Sequence, residues 1–340
     1  MLHRPSRRAL LAGAGISLFA IGSPGSPRAQ AAWQAKQYVN QPVGSPLFTA
    51  LTDIWAAVRT QTKGRLDVTV YPQNNNLPGS DPAALKLLQA GELEFFALMG
   101  GLLSAAVPAM DVQGLPFAFR SIKQVYALDD GPLGRYLDSE CTARGIHRMS
   151  HGLFQNGFRQ MNMRERAIHK VDDLAGQKIR VPDGEMFRDF FRTLGAEPVS
   201  LNINQLYAAL KEGRVDGQEN PLVIAETNKL YEVTKYISMT DHMWSGFNMI
   251  ANRKYWSGLP EDIRRIVGKN VAKHVDLQRQ ATDDLNRRLE TKLVERGMAI
   301  NKADRASFRA KLKGDFYPRW KKQIGTKAWS LLEEGAGRIG

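Results

Sequence analysis

Arg180 has the clearest chemical potential in this sequence, because it lies in a short predicted strand with well-defined ends. The run Lys178–Val181 alternates polar and apolar side chains between the turn residue Gly176 and Pro182, and proline cannot donate to a sheet ladder. Successive strand side chains point to opposite faces, so Arg180 points away from its two apolar neighbours. A fixed guanidinium can pair with a carboxylate through two parallel hydrogen bonds, whereas most strand arginines are exposed edge charges. This segment alone leaves both interpretations open.

Residue patterns typical of enzymes are absent from the sequence, so we expect no catalytic residues, no cofactor and no metal. There is no G-x-S-x-G, phosphate-binding G-x-x-x-x-G-K-[ST], H-E-x-x-H or C-x-x-C. The single cysteine, Cys141, lies in a polar helical stretch that does not support a nucleophile. His147 and His151 are four residues apart without a third ligand. Asp216 and Glu219 are oxygen ligands suited to a hard cation, although roles in a turn or at a helix start are favoured.

The N-terminus predicts export. Residues 1–31 have the three parts of a signal peptide: a basic start with Arg7 and Arg8, an apolar stretch at residues 9–22, and the cleavage motif Ala29-Gln30-Ala31. Residues 6–11 also fit the twin-arginine pattern of bacterial export signals. The apolar stretch is shorter than the ~20 residues of a spanning helix, so an uncleaved anchor is the less favoured alternative. We therefore expect a soluble mature protein in the periplasm.

The charge of the chain favours small anions as partners. The formal net charge is +13, and cleavage of the signal peptide removes four arginines, which leaves +9. An exported protein rarely meets nucleic acid, so no nucleic-acid partner is expected. The remaining positive field attracts anionic small molecules. One cysteine cannot form an internal disulfide, so the fold must be stable through its hydrophobic core alone.

The order of predicted elements indicates an α/β fold with two lobes, each a mixed sheet flanked by helices. Strands and helices alternate from residue 36 to residue 99 and again from about residue 157 to residue 237. Residues 260–296 keep a helical pattern long enough to span both lobes. Lobe I is expected at residues 32–156 plus about 247–285. Lobe II is expected at residues 157–246 plus about 286–340.

A short motif that occurs once in each half of the chain, called the echo below, supports this division and predicts a cleft. Residues 88–94 and residues 210–216 share L-x-x-G-x-[LV]-[ED], in each case where a helix turns into a strand. A glycine that ends a helix allows such a turn, and ligands bind outside the carboxyl ends of strands in open α/β sheets. Arg159, Arg180 and Asn220 are therefore expected at the ends of strands that face the cleft.

Six motifs, in order, resemble the substrate-binding proteins of tripartite ATP-independent periplasmic (TRAP) transporters, in the dicarboxylate-type branch. The resemblance covers nearly the whole mature chain. The motifs are Gly64-Arg65-Leu66, Leu115-Pro116-Phe117-Ala118-Phe119-Arg120, Asp130-Gly131-Pro132-Leu133-Gly134, Asn156-Gly157-Phe158-Arg159, Gly176-Gln177-Lys178-Ile179-Arg180-Val181-Pro182 and Val215-Asp216-Gly217-Gln218-Glu219-Asn220-Pro221.

The resemblance implies a role for three of these polar residues. In that family the arginine of G-x-K-x-R-V-P pairs with the substrate carboxylate, and this position is Arg180. The arginine of N-G-F-R and the asparagine of D-G-Q-E-N-P are placed as helpers, and these positions are Arg159 and Asn220. The implied function is capture of an organic acid and its delivery to TRAP membrane subunits by a monomer that is not an enzyme. The alternative is a receptor that presents the ligand to a membrane sensor kinase.

Departures from the family pattern suggest the character of the pocket. The family's W-E pair is Phe154-Gln155 here, Trp244 stands where tyrosine is common, and Met99 replaces a residue that is polar in sugar-acid binders. Phe154, Met99 and Trp244 predict an apolar, aromatic pocket, with Gln155 in a wall of changed charge, and therefore a compact or aromatic carboxylate rather than a polyhydroxy sugar acid. Met99 in the core and Trp244 in interlobe packing remain the alternatives.

Overall fold

The computed structural model describes residues 33–339, so the predicted signal peptide lies outside the described residues. Within that range the chain forms eleven strands and thirteen α-helices. No helix there is long and apolar enough to cross a bilayer. The strands are β1 (Trp33–Val39), β2 (Leu66–Tyr71), β3 (Phe95–Met99), β4 (Ile146–Phe158), β5 (Gln160–Met163), β6 (Lys178–Val181), β7 (Glu197–Ser200), β8 (Gly217–Asn220), β9 (Tyr236–Met239), β10 (Trp244–Asn252) and β11 (Ala299–Lys302).

The helices cover both faces of the sheets and the C-terminal region. They are α1 (Pro46–Gln61), α2 (Ser80–Ala90), α3 (Gly100–Leu103), α4 (Ile122–Asp129), α5 (Pro132–Ala143), α6 (Glu185–Thr193), α7 (Ile203–Lys211), α8 (Leu222–Thr227), α9 (Arg253–Gly258), α10 (Glu261–Glu295), α11 (Arg305–Leu312), α12 (Phe316–Ile324) and α13 (Thr326–Ala336). Local sequence explains the first of them. Ser45 caps α1 by accepting a hydrogen bond from the Phe48 amide, Pro46 fills the first position, and apolar residues at helical spacing are buried.

Two mixed sheets define the two lobes, as the sequence predicted. The lobe I sheet has the order β2-β1-β3-β10-β4, and the lobe II sheet has the order β11-β9-β5-β8-β6-β7. In lobe I the strands β2, β1 and β3 are parallel, and β10 runs antiparallel to β3. In lobe II the strands β7, β6 and β8 are parallel, and β5 runs antiparallel to β8. The two lobes thus repeat one topology, which is the physical basis of the sequence echo.

The long helix α10 joins the lobes, which confirms that prediction. Its N-terminal half packs on α1, where the side chains of Gln61 and Asn270 exchange hydrogen bonds of 3.1 and 3.0 Å. Its C-terminal end packs on α8, where Lys292 and Arg296 each lie 2.8 Å from Glu226.

The structure changes the expected lobe bounds. Strand β4 ends at Phe158 and β10 begins at Trp244, so the crossings lie at Arg159 and at residues 240–243 rather than at 156 and 247. The assignment of the whole C-terminal tail to lobe II is wrong, because α13 packs on α4 and α5 of lobe I. The Tyr317 hydroxyl also donates to the carbonyl of Pro116 at 3.2 Å. Buried aromatic side chains in α12 and α13 explain this docking.

Candidate functional site

A cavity of about 460 Å³ lies between the lobes, where strand ends and helix starts from both halves meet. Lobe I contributes the segment before α2 and the start of that helix, and lobe II contributes the ends of β6 and β7 and the start of α7. Its lining is Asn76, Leu77, Pro78, Gly79, Asp81, Pro82, Leu102, Arg180, Pro182, Asp183, Ser200, Leu201, Asn202, Asn204 and Gln205. This position agrees with the general placement of ligands at the carboxyl ends of strands.

Arg180 lies in the wall of this cavity as a buried cation with a free donor group. Its side chain is nearly inaccessible at 2% exposure. Nε and Nη2 both donate to the carbonyl oxygen of Leu201, at 2.9 and 2.6 Å. Nη1 has no hydrogen-bond partner in the described part of the chain. A buried donor without a partner is costly, so Nη1 is a candidate donor for an anion.

Burial and neighbouring charges set the state of Arg180. Burial lowers the pKa of its guanidinium to about 10. The charges of Glu219 and Asp81 oppose that change, and the charge of Arg159 adds to it. The side chain therefore remains a cation at neutral pH. Since Arg180 forms no ion pair with Glu219 or Asp81 and only their field acts on it, a nearby carboxylate would favour the charged guanidinium.

Asp81 is the acidic counterpart of Arg180 on the lobe I side. Asn40 donates to its Oδ2 at 2.9 Å and Asn74 donates to its Oδ1 at 2.7 Å. Burial raises the pKa of Asp81, and the bonds from the two asparagines and the charge of Arg180 oppose that rise. Asn74 reaches this position from a left-handed turn at residues 73–76, in which every φ lies between 50° and 54°. Asparagine tolerates that conformation better than most residues.

Arg159 lies at the crossing between β4 and β5, and its donors are all used within the protein. Nη2 donates to the carboxylate and to the carbonyl oxygen of Glu219, both at 2.7 Å, and Nε donates to the same carboxylate. Nη1 reaches Ser245 Oγ at 3.3 Å and Met99 Sδ at 3.5 Å. Arg159 therefore holds the crossing segments together in this conformation and offers no free donor to a ligand.

His242 completes a fully buried network with this ion pair. Its Nε2 lies 3.1 Å from Glu219 Oε2 and its Nδ1 lies 2.8 Å from Thr240 Oγ1. Burial lowers the pKa of His242, against the opposing effect of Glu219. Burial also raises the pKa of Glu219, but Arg159 and His242 outweigh it, and the net pKa is lowered. The network is thus a neutral imidazole beside a compensated carboxylate–guanidinium pair.

Asn220 is the third predicted polar residue, and it lies beside Arg180 on the lobe II sheet. Its Nδ2 donates to Gln218 Oε1 at 2.6 Å, and Gln218 pairs in register with Arg180. The Nε2 of Gln218 has no partner among the described residues. Asn220 is 5% exposed and does not line the cavity next to Arg180.

The predicted aromatic pocket wall does not surround Arg180. Phe154 and Trp244 are fully buried, and Met99 is almost so. The Trp244 ring lies over Gly246, where an added Cβ would come within 2.2 Å of it, and its edge meets Phe119. Met99 contacts Arg159. None of the three lines the cavity, so their sizes do not shape the space next to Arg180.

Gln155 lies apart from the Arg180 cavity, at the junction with α10. Its Nε2 donates to Asp283 at 3.1 Å and its backbone amide donates to Gln278 at 2.9 Å. Tyr126 donates to its Oε1. Gln155 also borders a second, much smaller cavity between α1, α8 and α10.

The two acids considered for a hard cation have structural partners instead. Asp216 accepts a hydrogen bond from the Lys178 amide at 2.8 Å, and Glu219 is paired with Arg159 as described above. Within residues 33–339, no three His, Cys, Asp or Glu side chains are grouped as metal ligands. Cys141 is buried, and burial raises the pKa of its thiol to about 12.

Residues 38–323 match the family described as bacterial extracellular solute-binding protein, family 7, or DctP. This chain belongs to that family. The predicted resemblance to TRAP substrate-binding proteins and the two-lobed α/β fold are thereby confirmed.

Named relatives fit this assignment. The C4-dicarboxylate-binding periplasmic protein DctP of Rhodobacter capsulatus is 31% identical over 216 residues, which cover 63% of each protein. An uncharacterized protein of Sinorhizobium fredii is 34% identical over 242 residues, which cover 71% of this chain and 44% of that protein. The chain thus spans less than two thirds of the length of these two relatives. A TRAP periplasmic solute-binding protein from Polaromonas sp. JS666, in a crystal structure with D-erythronate, has a TM-score of 0.82 at 26% identity, covering 88% of this chain and 98% of that one.

Of the fifteen residues that line the cavity, only Arg180 was predicted as a site residue. Asp81, the turn at residues 73–76 and the start of α7 were not predicted to take part. The echo contained the relevant signal, because its two leucines lie eight residues after Ser80 and Asn202 respectively. Ser80 begins α2 and Asn202 caps α7, and residues at the start of both helices line the cavity.

The lobes touch next to the cavity through two glycines, so the size of these residues should decide how closely the lobes approach each other. A Cβ on Gly184 of lobe II would lie 2.6 Å from the carbonyl oxygen of Gly101 in lobe I. We expect Gly184→Ala to hold the lobes apart and to weaken ligand binding about tenfold, which corresponds to about 1.4 kcal/mol. Titration calorimetry with an acid that binds the parent protein measures the change in affinity. Gly268→Ala on α10, with no atom within 4 Å of its added Cβ, is the control. Unchanged affinity in Gly184→Ala would show that ligand binding does not require this close contact between the lobes.

Asp111 lies behind this contact, and its burial predicts that the stability of the protein depends on pH. It is buried, and one carboxylate oxygen has no partner among the described residues. Burial raises the pKa of Asp111 from 3.8 to about 7, the Ser104 hydroxyl opposes the rise and Glu185 adds to it. The folded state therefore holds a proton that the unfolded state has lost, and this group's contribution to stability is lost as pH rises from about 4 through 7.

We expect Asp111→Asn to remove this dependence. Its melting temperature should exceed that of the parent by more at pH 8 than at pH 5, measured by differential scanning calorimetry. Asp172→Asn, which removes an exposed carboxylate paired with Lys170, should show no such difference. An equal shift of Asp111→Asn at both pH values would show that Asp111 does not titrate in this range.

Proposed function

We propose that this chain is a periplasmic solute-binding protein that captures an organic acid between its lobes. Arg180 pairs with the acid's carboxylate, and the loaded protein delivers it to TRAP membrane subunits. One observation carries this proposal: a buried arginine borders the interlobe cavity with its Nη1 unpartnered. In the proposal the chain works as a monomer and performs no covalent chemistry.

The energetics of the pair support binding through Arg180. A hydrogen bond to a charged group contributes about 1.5 to 3 kcal/mol, and a ligand carboxylate reaching Nη1 would satisfy a donor that is already desolvated. Arg180 is also held in place by its two bonds to Leu201, so little side-chain freedom is lost when the ligand binds.

The other predicted polar residues enter the proposal in different ways. Arg159 acts on Arg180 through its charge rather than on the ligand directly. It lies close enough to influence the pKa of Arg180, while its own donors bind Glu219. Asn220 supports the neighbouring Gln218 on the same sheet face. A direct contact of either residue with the ligand requires an exchange of these internal bonds as the lobes move.

The named relatives are consistent with an acid ligand. The Rhodobacter capsulatus protein is named for binding C4-dicarboxylates, and the Polaromonas structure holds D-erythronate. Both kinds of ligand carry the carboxylate that Arg180 would pair with. The expected preference for a compact or aromatic acid has little support here, because it depended on Phe154, Met99 and Trp244 and none of them lines the cavity.

A thermal-shift screen of organic acids tests the proposal. A ligand that binds only the folded state raises the melting temperature by mass action. At a ligand concentration 100 times Kd, the free energy of unfolding increases by about 2.7 kcal/mol. We expect at least one small carboxylate to raise the melting temperature, and its amide or methyl ester to have no effect. If no carboxylate shifts the melting temperature, the proposed function is wrong.

A further inference from the structure

The positive charge of the chain is concentrated near its C-terminus. Without residues 1–31 the formal net charge is +9. Residues 302–327, called the basic segment from here on, contain nine lysines and arginines and two acids, so they contribute +7 of that charge. Such an asymmetry is a sequence signature of a surface that meets nucleic acid or a membrane, and an exported protein rarely meets nucleic acid.

The fold keeps all of these cations at the surface. The basic segment consists of α11, α12, the residues that flank them and the start of α13. Phe308 and Leu312 anchor α11 in the core, and Phe316 and Trp320 anchor α12. The two helices are each at most about 14 Å long, so their charges occupy one region of the surface. The exposed cations are Lys302, Arg305, Arg309, Lys311, Lys313, Arg319, Lys321, Lys322 and Lys327.

Two arginines of the basic segment are occupied by acids of the protein. Arg305 lies 3.1 Å from Asp241. Arg319 lies 2.9 Å from Asp189 and 2.6 Å from Asp315. These ion pairs fix the helices against their neighbours and use the guanidinium groups that would otherwise be available to a partner.

The six lysines of the basic segment keep their charges available. In the described part of the chain, the lysines that form ion pairs lie on other elements; they are Lys170, Lys235 and Lys292. Lys321 lies 5.8 Å from the centre of the Trp329 ring, a contact that leaves its charge in place. No residue of the basic segment lines the interlobe cavity, so this charge is separate from the Arg180 site.

The character of this surface favours a lipid partner over a protein partner. The cores of protein–protein interfaces are depleted in lysine and enriched in aromatic residues. In residues 33–339 the exposed large apolar side chains are Val43, Leu277 and Val294, all outside the basic segment. A lysine ammonium is a compact, hydrated point charge, and clusters of several lysines and arginines on helices bind anionic lipid surfaces.

We propose that the basic segment binds the anionic phosphate headgroups of a phospholipid bilayer and thereby holds the protein close to the membrane surface. The proposed function takes the loaded protein to a membrane, but this surface lies outside the ligand cavity. The inference therefore holds whichever acid the cavity binds.

Co-sedimentation with vesicles tests the proposal, with the protein purified after export so that the signal peptide does not contribute. The parent should bind vesicles that contain phosphatidylglycerol and leave vesicles of phosphatidylcholine alone unbound. Added salt should weaken the binding, because it screens exposed charges. One lysine near an anionic surface changes the partition coefficient about fivefold. A variant that combines Lys311→Gln, Lys313→Gln, Lys321→Gln and Lys322→Gln should therefore lose on the order of 100-fold.

The matched control removes the same charge from exposed lysines on other elements. It combines Lys211→Gln, Lys254→Gln, Lys269→Gln and Lys273→Gln, and its partition coefficient should fall by less than about tenfold, because distant exposed charges are screened. Equal losses in the two variants would show that overall charge, rather than the basic segment, attracts the protein to lipid.

The remaining outcomes are equally decisive. If the parent binds neither kind of vesicle, or binds both equally, the lipid proposal is overturned, and an acidic protein surface becomes the partner to test. The rise in melting temperature with an acid ligand depends on the cavity and should be the same in the parent and both variants. This second measurement therefore separates a failure of the lipid proposal from a failure of the proposed function, and it shows that each variant is folded.

Discussion

Arg180→Ala should lower ligand affinity by on the order of 100-fold and leave the protein folded. The loss corresponds to about 3 kcal/mol, which is the contribution of one strong charge-assisted hydrogen bond. Folding should survive because the side chain is a buried cation with one nitrogen unpartnered, and its removal also removes that desolvation cost. Titration calorimetry with an acid found by thermal shift measures the affinity, and the melting temperature reports the fold.

The control for this prediction is another arginine-to-alanine change nearby. Arg192 lies on α6 and contacts Glu185 at 3.4 Å on the exposed surface. Arg192→Ala should keep its affinity within about threefold of the parent. Affinity within a few-fold of the parent in Arg180→Ala would show that the carboxylate binds elsewhere. Arg180→Lys should be intermediate, because lysine keeps the charge and loses the planar fork.

Arg159→Met should cause the largest loss of stability. Arg159 and Glu219 are both fully buried and paired through two carboxylate oxygens. Breaking a buried pair by removing one partner costs about 3 to 5 kcal/mol, because the remaining charge is left uncompensated. We expect urea denaturation to show a decrease of this order in the free energy of unfolding.

A double variant separates a structural role of Arg159 from contact with the ligand. Arg159→Met combined with Glu219→Gln removes both charges and keeps the hydrogen bond to His242, so it should recover more than half of the lost stability. If Arg159→Met has nearly parental stability but binds poorly, Arg159 is a ligand contact rather than the support of the crossing segments.

The sequence was sufficient to predict the fold in most respects, because its periodic patterns are local. Alternation in residues 66–71 and helical spacing across residues 260–296 correspond to β2 and α10. The echo predicted the repeated topology, since Gly91 and Gly213 do adopt positive φ next to α2 and α7. The docking of α12 and α13 on lobe I could not be predicted, because it depends on which distant surface their buried aromatic residues meet.

The site was predictable only in part, for reasons of register and side-chain direction. The strand of Arg180 followed from local patterns with clear ends, whereas the pairing of Arg180 with a carboxylate came from the family resemblance and stays a prediction. The directions of Phe154 and Trp244 depend on how β4 pairs with β10, and that pairing contains register shifts, one of them between Ser245 and Gly246. A shift of one residue turns a side chain to the other face, so two residues expected in the pocket belong to the core. The place of Asp81 in the cavity wall was not predicted, because it depends on contacts with Asn40 and Asn74, which other segments supply.

A crystal structure with the acid identified by thermal shift tests the central claim most directly. We predict a carboxylate oxygen about 2.7 to 2.9 Å from Arg180 Nη1, the length of a charge-assisted bond, with the rest of the ligand in the cavity between the lobes. A ligand bound outside this cavity, with Arg180 still bonded only to Leu201, would contradict the account.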